Sequence, residues 1–196
     1  MPFEPINTIT SPVALLQADN IDTDRIIPAR FLKSVDSSGF GKNLFYDWRY
    51  RPDGTPDPEF VLNKPNGQGR ILLTGKNFGC GSSREHAAWA LYQYGFRVII
   101  SSGFADIFHN NALNNGLLPV EVSEEQLAQL TDFCQSNPDA LLTVDLVNQV
   151  VSLPESEIAI PFDINPFRKE CLLSGSDLID YLAGLKRKII EYESNH

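Results

Sequence analysis

Residues 77–91 read NFGCGSSREHAAWAL, and positions 79–86 alone hold two glycines, a cysteine, two serines, an arginine, a glutamate and a histidine. Ser82 and Glu85 have capping-box spacing, S-x-x-E, ahead of an apolar helical pattern. That spacing predicts Ser82 as the N-cap of a helix running to about Tyr94, with Gly95 as its stop. Gly79 and Gly81 let the backbone turn and let a ligand approach closely. Free N–H groups, the positive end of the helix dipole and the Arg84 guanidinium together make an anion site. A Walker loop needs Gly-Lys followed by Ser or Thr, but Gly75-Lys76 is followed by Asn77. A dinucleotide fingerprint needs a third glycine where this chain has Arg84. Arginine matches a carboxylate through a two-pronged contact, so the motif favours a carboxylate substrate over a nucleotide.

The remaining reactive groups form weaker patterns. Cys80 near a helix start suggests a nucleophilic thiol, but His86 lies further along the predicted helix and is badly placed to act as its base. His109 reads as an ordinary helix residue. Cys80, Cys134 and Cys171 are widely spaced with no C-x-x-C pair, which predicts neither a metal centre nor a disulfide framework. Three functions stay open on residues alone: a carboxylate-handling enzyme, a carboxylate-binding module without chemistry, and a cysteine-dependent hydrolase.

These groups sit in a chain of 196 residues, 42% hydrophobic and 21% charged, enough for one globular domain. No basic patch accompanies the net charge of −9, which argues against nucleic acid as a partner. No apolar run suits a membrane span, and the first residues lack the pattern of a secretory signal, so a cytoplasmic location is expected. The expected strands are VALLQ (13–17), RILLTG (70–75), FRVIIS (96–101) and LLPVEV (117–122), alternating with helices over 82–94 and 105–115. Ser123 and Gln126 predict a capped helix through Cys134. ALLTVDLV and QVVSLP predict a hairpin near Asn148, EIAIPF follows it, and SDLIDYLAGLKRKIIEYE predicts a closing amphipathic helix. Residues at about 36–69 form a long, Gly/Pro-rich stretch with many aromatics, expected to be a lid or a partner contact rather than disorder. The order predicts an α/β fold with a parallel stretch, and the β-rich end after residue 140 argues against a plain doubly wound sheet.

GKNFGCGSSREHAAWAL, with NIDTDRIIPARFLK before it and GLLPVEV after it, resembles the small subunits of the 3-isopropylmalate dehydratases, the swivelling domain of the aconitase family. The resemblance runs in order through the closing FRKECLLSGSDLIDYL. It implies a single swivelling β/β/α domain with a mixed sheet and closing C-terminal helices, active only with a large subunit in a hetero-oligomer. The implied reaction interconverts 2-isopropylmalate and 3-isopropylmalate, small dicarboxylates, through 2-isopropylmaleate in leucine biosynthesis. The implied cofactor is a four-iron four-sulfur cluster on the large subunit, with none in this chain. By position, the resemblance makes Ser82 the catalytic base, acting as an alkoxide. It gives Arg84 and Ser83 to a substrate carboxylate and Asp24 to supporting hydrogen bonds. It makes Arg30 and Lys33 candidates for the second carboxylate, and Phe31 and Leu32 candidates for the isopropyl group. Sister dehydratases acting on homoaconitate, citraconate or dimethylmalate are the near alternatives, distinguished by residues 30–34.

Overall fold

The computed structural model describes residues 3–32, 39–154, 156 and 158–177, except the side chain of residue 66. Seven strands form one sheet in the order β4-β3-β2-β1-β5-β6-β7. They are β1 (Thr8–Leu16), β2 (Ile71–Thr74), β3 (Val98–Ser101), β4 (Leu118–Glu121), β5 (Leu141–Asp145), β6 (Val150–Ser152) and β7 (Ala159–Pro161). The pairs from β1 to β4 are parallel, and those from β1 through β5, β6 and β7 are antiparallel. The sheet is therefore mixed, as the resemblance implies, and not the plain doubly wound sheet that the β-rich end argues against.

Burial follows from that division. The parallel strands β2 and β3 are buried at every position, because helices cover both faces. One face carries α3 (Glu85–Tyr94) and α4 (Asp106–Asn114), whose Ala87, Ala88, Ala90, Leu91, Phe108 and Ala112 pack with Leu72 and Ile99. The other face packs Ile71, Leu73, Val98 and Ile100 with Leu130 and Cys134 of α5 (Glu124–Ser136) and Leu172 of α6 (Pro166–Ser174). The antiparallel strands have one wet face, and β5 and β7 accordingly show buried positions only in alternation.

Strand β1 serves both halves. It starts at Thr8, five residues before the apolar run that predicts it. Its first half, Thr8 to Pro12, pairs with β5, and Val13 to Leu16 pairs with β2. Pro12 has no N–H to give a ladder, and it sits where one pairing ends and the other begins. Ser11 Oγ accepts from Arg70 N at 2.7 Å there.

The expected helix after Ser123 has its complete capping box, with Gln126 N donating to Ser123 Oγ and Ser123 N donating to Gln126 Oε1. The expected closing helix lies outside the described residues beyond 177. The described part of the 36–69 stretch is more regular than its composition suggests. It holds α2 (Tyr46–Arg49) and three 3-10 turns, Phe40–Asn43, Val61–Asn63 and Pro65–Gln68. Phe40, Leu44, Phe45 and Leu62 are buried from it. Tyr94 Oη of α3 shares its one proton between the Leu62 and Gly67 carbonyls at 2.9 and 3.2 Å, and Arg49 Nη1 donates to the Gly41 and Leu44 carbonyls.

Candidate active site

Three chain segments leave the carboxyl ends of β1, β2 and β3 and meet, at the end of the sheet where open α/β folds bind ligands. The segment after β2, residues 75–84, lies in the middle. Asn20 N donates to Lys76 O at 2.9 Å, Gly79 N to Ile21 O at 2.8 Å and Thr23 N to Cys80 O at 2.9 Å. On its other side, Phe78 N donates to Gly103 O and Ala105 N to Phe78 O, both at 3.0 Å. The loop is thus stitched into both neighbours before it reaches the serines.

The two glycines are required there. Gly79 has φ +77°, and a Cβ on it would lie 2.1 Å from Cγ of buried Phe108. Gly81 has φ +90° and turns the chain beside Asp22. Asp22 itself caps α1 (Thr23–Ile26), its Oδ1 accepting from Arg25 N at 2.7 Å.

Ser82 is not the N-cap. Helix α3 begins at Glu85 with Arg84 at its cap and no side-chain cap bond, so the sequence expectation is corrected by two residues. The reason is competition for both partners. Glu85 Oε1 accepts from Asn115 Nδ2 at 3.0 Å, and Asn115 Oδ1 in turn accepts from Trp89 Nε1 at 2.9 Å. The Ser82 carbonyl is taken by Thr23 Oγ1 at 3.0 Å and Arg84 N at 2.7 Å. Ser82 and Ser83 are both exposed. The backbone at Ser82 is pinned while its side chain faces solvent.

Arg84 and Asp24 come together across 60 positions of sequence, Arg84 Nη1 donating to Asp24 Oδ1. The arginine side chain is 22% exposed and the aspartate 53%, so the guanidinium is mostly enclosed while its partner stays open to a ligand or to water. Arg30 lies in a short 3-10 turn, Ala29–Phe31, and binds Asp47 through both Nη atoms. Phe31 packs 4.8 Å from Tyr46, and Phe31 and Leu32 both lean on the core beneath α3. Lys33 lies outside the described residues.

Sequence reasoning missed Thr23, which holds the Ser82 carbonyl, and Asp47, which holds Arg30. The D-T-D spelling signals a turn but not which residue caps and which reaches away. Nothing local marks Asp47.

The thiols point away from cysteine chemistry. Burial and then the Asp22 charge push the Cys80 thiol up, the opposite of what a nucleophilic thiol needs. His86 packs against Phe40 and Trp89, at 5.2 and 4.7 Å between ring centres. His109 packs on Phe104, and burial holds its imidazole below the ordinary range. The donor set does not suit an iron–sulfur cluster either. Cys134 and Cys171 are buried on α5 and α6, far along the chain from half-exposed Cys80. Among the described residues no three His, Cys, Asp or Glu side chains gather as metal ligands. Nor is any described helix long and apolar enough to cross a membrane.

A β/β/α fold with a serine-arginine loop at the carboxyl end of the parallel half of its sheet is the class of the aconitase swivelling domain. The family model "Aconitase C-terminal domain" matches residues 6–125, and a second, "LeuD_N", matches residues 128–166. The 3-isopropylmalate dehydratase small subunit of Cytophaga hutchinsonii is 54% identical over 191 residues, covering 97% of this chain and 95% of its own length. That of Roseiflexus castenholzii is 51% identical over 195 residues, covering 99% and 95%. A crystal structure of 3-isopropylmalate dehydratase from Methanocaldococcus jannaschii superposes with a TM-score of 0.67 at 28% identity, covering 95% of this chain and 99% of that one. The chain belongs to the 3-isopropylmalate dehydratase small-subunit family of the aconitase superfamily.

Proposed function

We propose that Ser82 is the base that moves the carbon-bound proton in the dehydration and rehydration of isopropylmalate, and that Arg84, set by Asp24, binds a substrate carboxylate beside it. The chain is the small subunit of a hydro-lyase in leucine biosynthesis, working with a large subunit. The four-iron four-sulfur cluster is assigned to that large subunit, where it supplies a Lewis acid when bound. The work of this chain is proton handling and recognition. Ser82 Oγ takes the proton from the carbon next to the one bearing the hydroxyl. The electron pair of that C–H bond forms the double bond of 2-isopropylmaleate as the hydroxyl leaves. Readdition of water at the other carbon, with the serine proton returned, completes the isomerisation.

A serine hydroxyl is a weak base in water. Its alkoxide becomes accessible only where fixed positive charge and N–H groups stabilise it in a closed, dry site. Arg84 supplies the charge. The N–H groups of the first turn of α3, which carries no side-chain cap, supply the rest. Ser83 serves the same carboxylate as Arg84. Arg30 and Lys33 are assigned to the second carboxylate, and Phe31 and Leu32 to the isopropyl group. The 36–69 stretch is assigned to contact with the large subunit, and the location is cytoplasmic.

One observation carries the reading. Ser82 is exposed on a backbone held by Thr23, next to a guanidinium held by Asp24. Reconstitution of Ser82→Ala with the large subunit under anaerobic conditions tests it. The variant is expected to fold and bind its partner, with turnover lowered by about 10³-fold, the scale of a lost general base. Near-normal turnover would refute the assignment.

A further inference from the structure

The charges from one loop to the next alternate in sign. Arg84 meets Asp24 on α1. The next residue, Arg25, lies 5.6 Å over the Trp48 ring of α2, and its charge acts on Asp47 of the same short helix. Asp47 binds Arg30 with both carboxylate oxygens, Nη1 to Oδ2 at 3.1 Å and Nη2 to Oδ1. The hydrogen bond from Arg30, and then the charges of Arg30 and Arg25, hold the Asp47 carboxyl below its ordinary range.

The Arg30 guanidinium is also held on its face. It lies 4.7 Å over the Phe31 ring and 5.4 Å over Tyr46. A guanidinium has five N–H donors in a fixed fork. Among the described residues Asp47 alone accepts from it, through two of its three nitrogens, which leaves further donors for a second carboxylate. The pair opens on a pocket of about 310 Å³ lined by Arg30, Tyr46, Asp47, Tyr50, Arg51 and Gly54. Both side chains are half exposed, 51% and 52%, so a ligand can reach them.

Helix α2 does not float. Its N-cap, Phe45, is fully buried with φ +48°, a conformation rare for a bulky residue and maintained only where packing over-determines it. Phe45 N donates to Ile26 O of α1 at 2.8 Å. The element that carries Asp47 is therefore locked to the element that carries Asp24.

We infer that Asp47 is a positioning residue for substrate affinity: it holds the Arg30 guanidinium at the angle in which its free edge meets a substrate carboxylate. The inference rests on Arg30 being a carboxylate contact in the site proposed above. A contact made equally in the ground and transition states alters KM and leaves kcat. In the reconstituted complex, Asp47→Asn is expected to raise KM for 3-isopropylmalate by about tenfold, one weakened charge-assisted contact, with kcat within about threefold. Asp47→Glu keeps the charge and is expected to recover part of that loss. Arg30→Ala is expected to raise KM further, and adding Asp47→Asn to it is expected to change nothing more. An unchanged KM in Asp47→Asn, or additive effects in the double variant, would overturn the inference. Ser82→Ala assayed alongside separates the two failures. A dead Ser82→Ala with a silent Asp47→Asn overturns this inference alone, and a fully active Ser82→Ala overturns the site itself.

Discussion

Replacing Gly79 by alanine tests how the loop before Ser82 is held. The new Cβ would lie 2.1, 2.4 and 2.7 Å from Cγ, Cβ and Cδ1 of Phe108. Those atoms cannot swing aside easily. Phe108 is 2% exposed and packs edge-on to Phe78 at 5.1 Å and in a stack with Phe104 at 6.4 Å. Overpacking of this kind costs about 1–3 kcal/mol. The left-handed φ of +77° adds about 1–2 kcal/mol for a residue with a Cβ. The smaller entropy of the unfolded chain returns about 0.4–1 kcal/mol. The expected net loss is about 1–4.6 kcal/mol, below the about 5–15 kcal/mol of a stable domain, so the variant folds. Gly81→Ala is the control. Its φ is +90°, but its nearest neighbour is Asp22 Cβ at 3.4 Å, ordinary contact, so only the backbone strain of about 1 kcal/mol remains. Urea denaturation of both variants reads the difference. Combining Gly79→Ala with Phe108→Ala removes Cγ and Cδ1, two of the three atoms that are struck, and the pair is expected to cost about 1 kcal/mol or more less than the sum of the singles. Strict additivity, or a Gly79→Ala loss no larger than that of Gly81→Ala, would refute the steric argument. The shift of the loop is also expected to lower turnover of the reconstituted complex by up to about 100-fold, since misplacement near 1 Å has that effect.

Cys80→Ala is expected to keep most of the turnover, because the thiol is held protonated by burial and the Asp22 charge; loss of all activity would restore a thiol mechanism. Burial raises the Cys134 thiol to about 11, so its contribution is complete below the unfolded pKa near 9 and disappears as pH rises towards 11. The excess stability of the native chain over Cys134→Ala, from denaturation at pH 8 and pH 11, is expected to shrink by up to about 2.7 kcal/mol; a constant difference would contradict this. Glu4 has the opposite sign. The hydrogen bond from Arg70, helped by Arg97, lowers its pKa, so its contribution is present above about 4.5 and lost as pH falls below it. Since Glu4 is 48% exposed, Glu4→Gln is expected to cost only about 0.5 kcal/mol at pH 7 and less at pH 3, read by thermal unfolding at both.

Periodicity and cap signals alone determined the parallel core. RILLTG, FRVIIS and LLPVEV are apolar runs too short for helices, and each becomes a fully or almost fully buried strand. The Ser123 capping box and the 141–152 hairpin are equally local, since every partner lies within a few residues. The serine-arginine loop was legible by composition, because only glycines suit the φ of +77° and +90° that bring the chain round to Ser82. What tertiary structure alone decided are the contacts between distant segments. Ser82-x-x-Glu85 spells a cap, yet Asn115 takes the glutamate and Thr23 takes the serine carbonyl. The 36–69 stretch reads as a loop, yet its aromatics and Arg49 pack it onto α3 and bring Asp47 to Arg30. The pairing of Arg84 with Asp24 spans 60 positions. Local spacing fixes which side chains are available along one element, but which of them meet is set by strand order and by competition for each donor and acceptor, and neither is written within a few residues of the site.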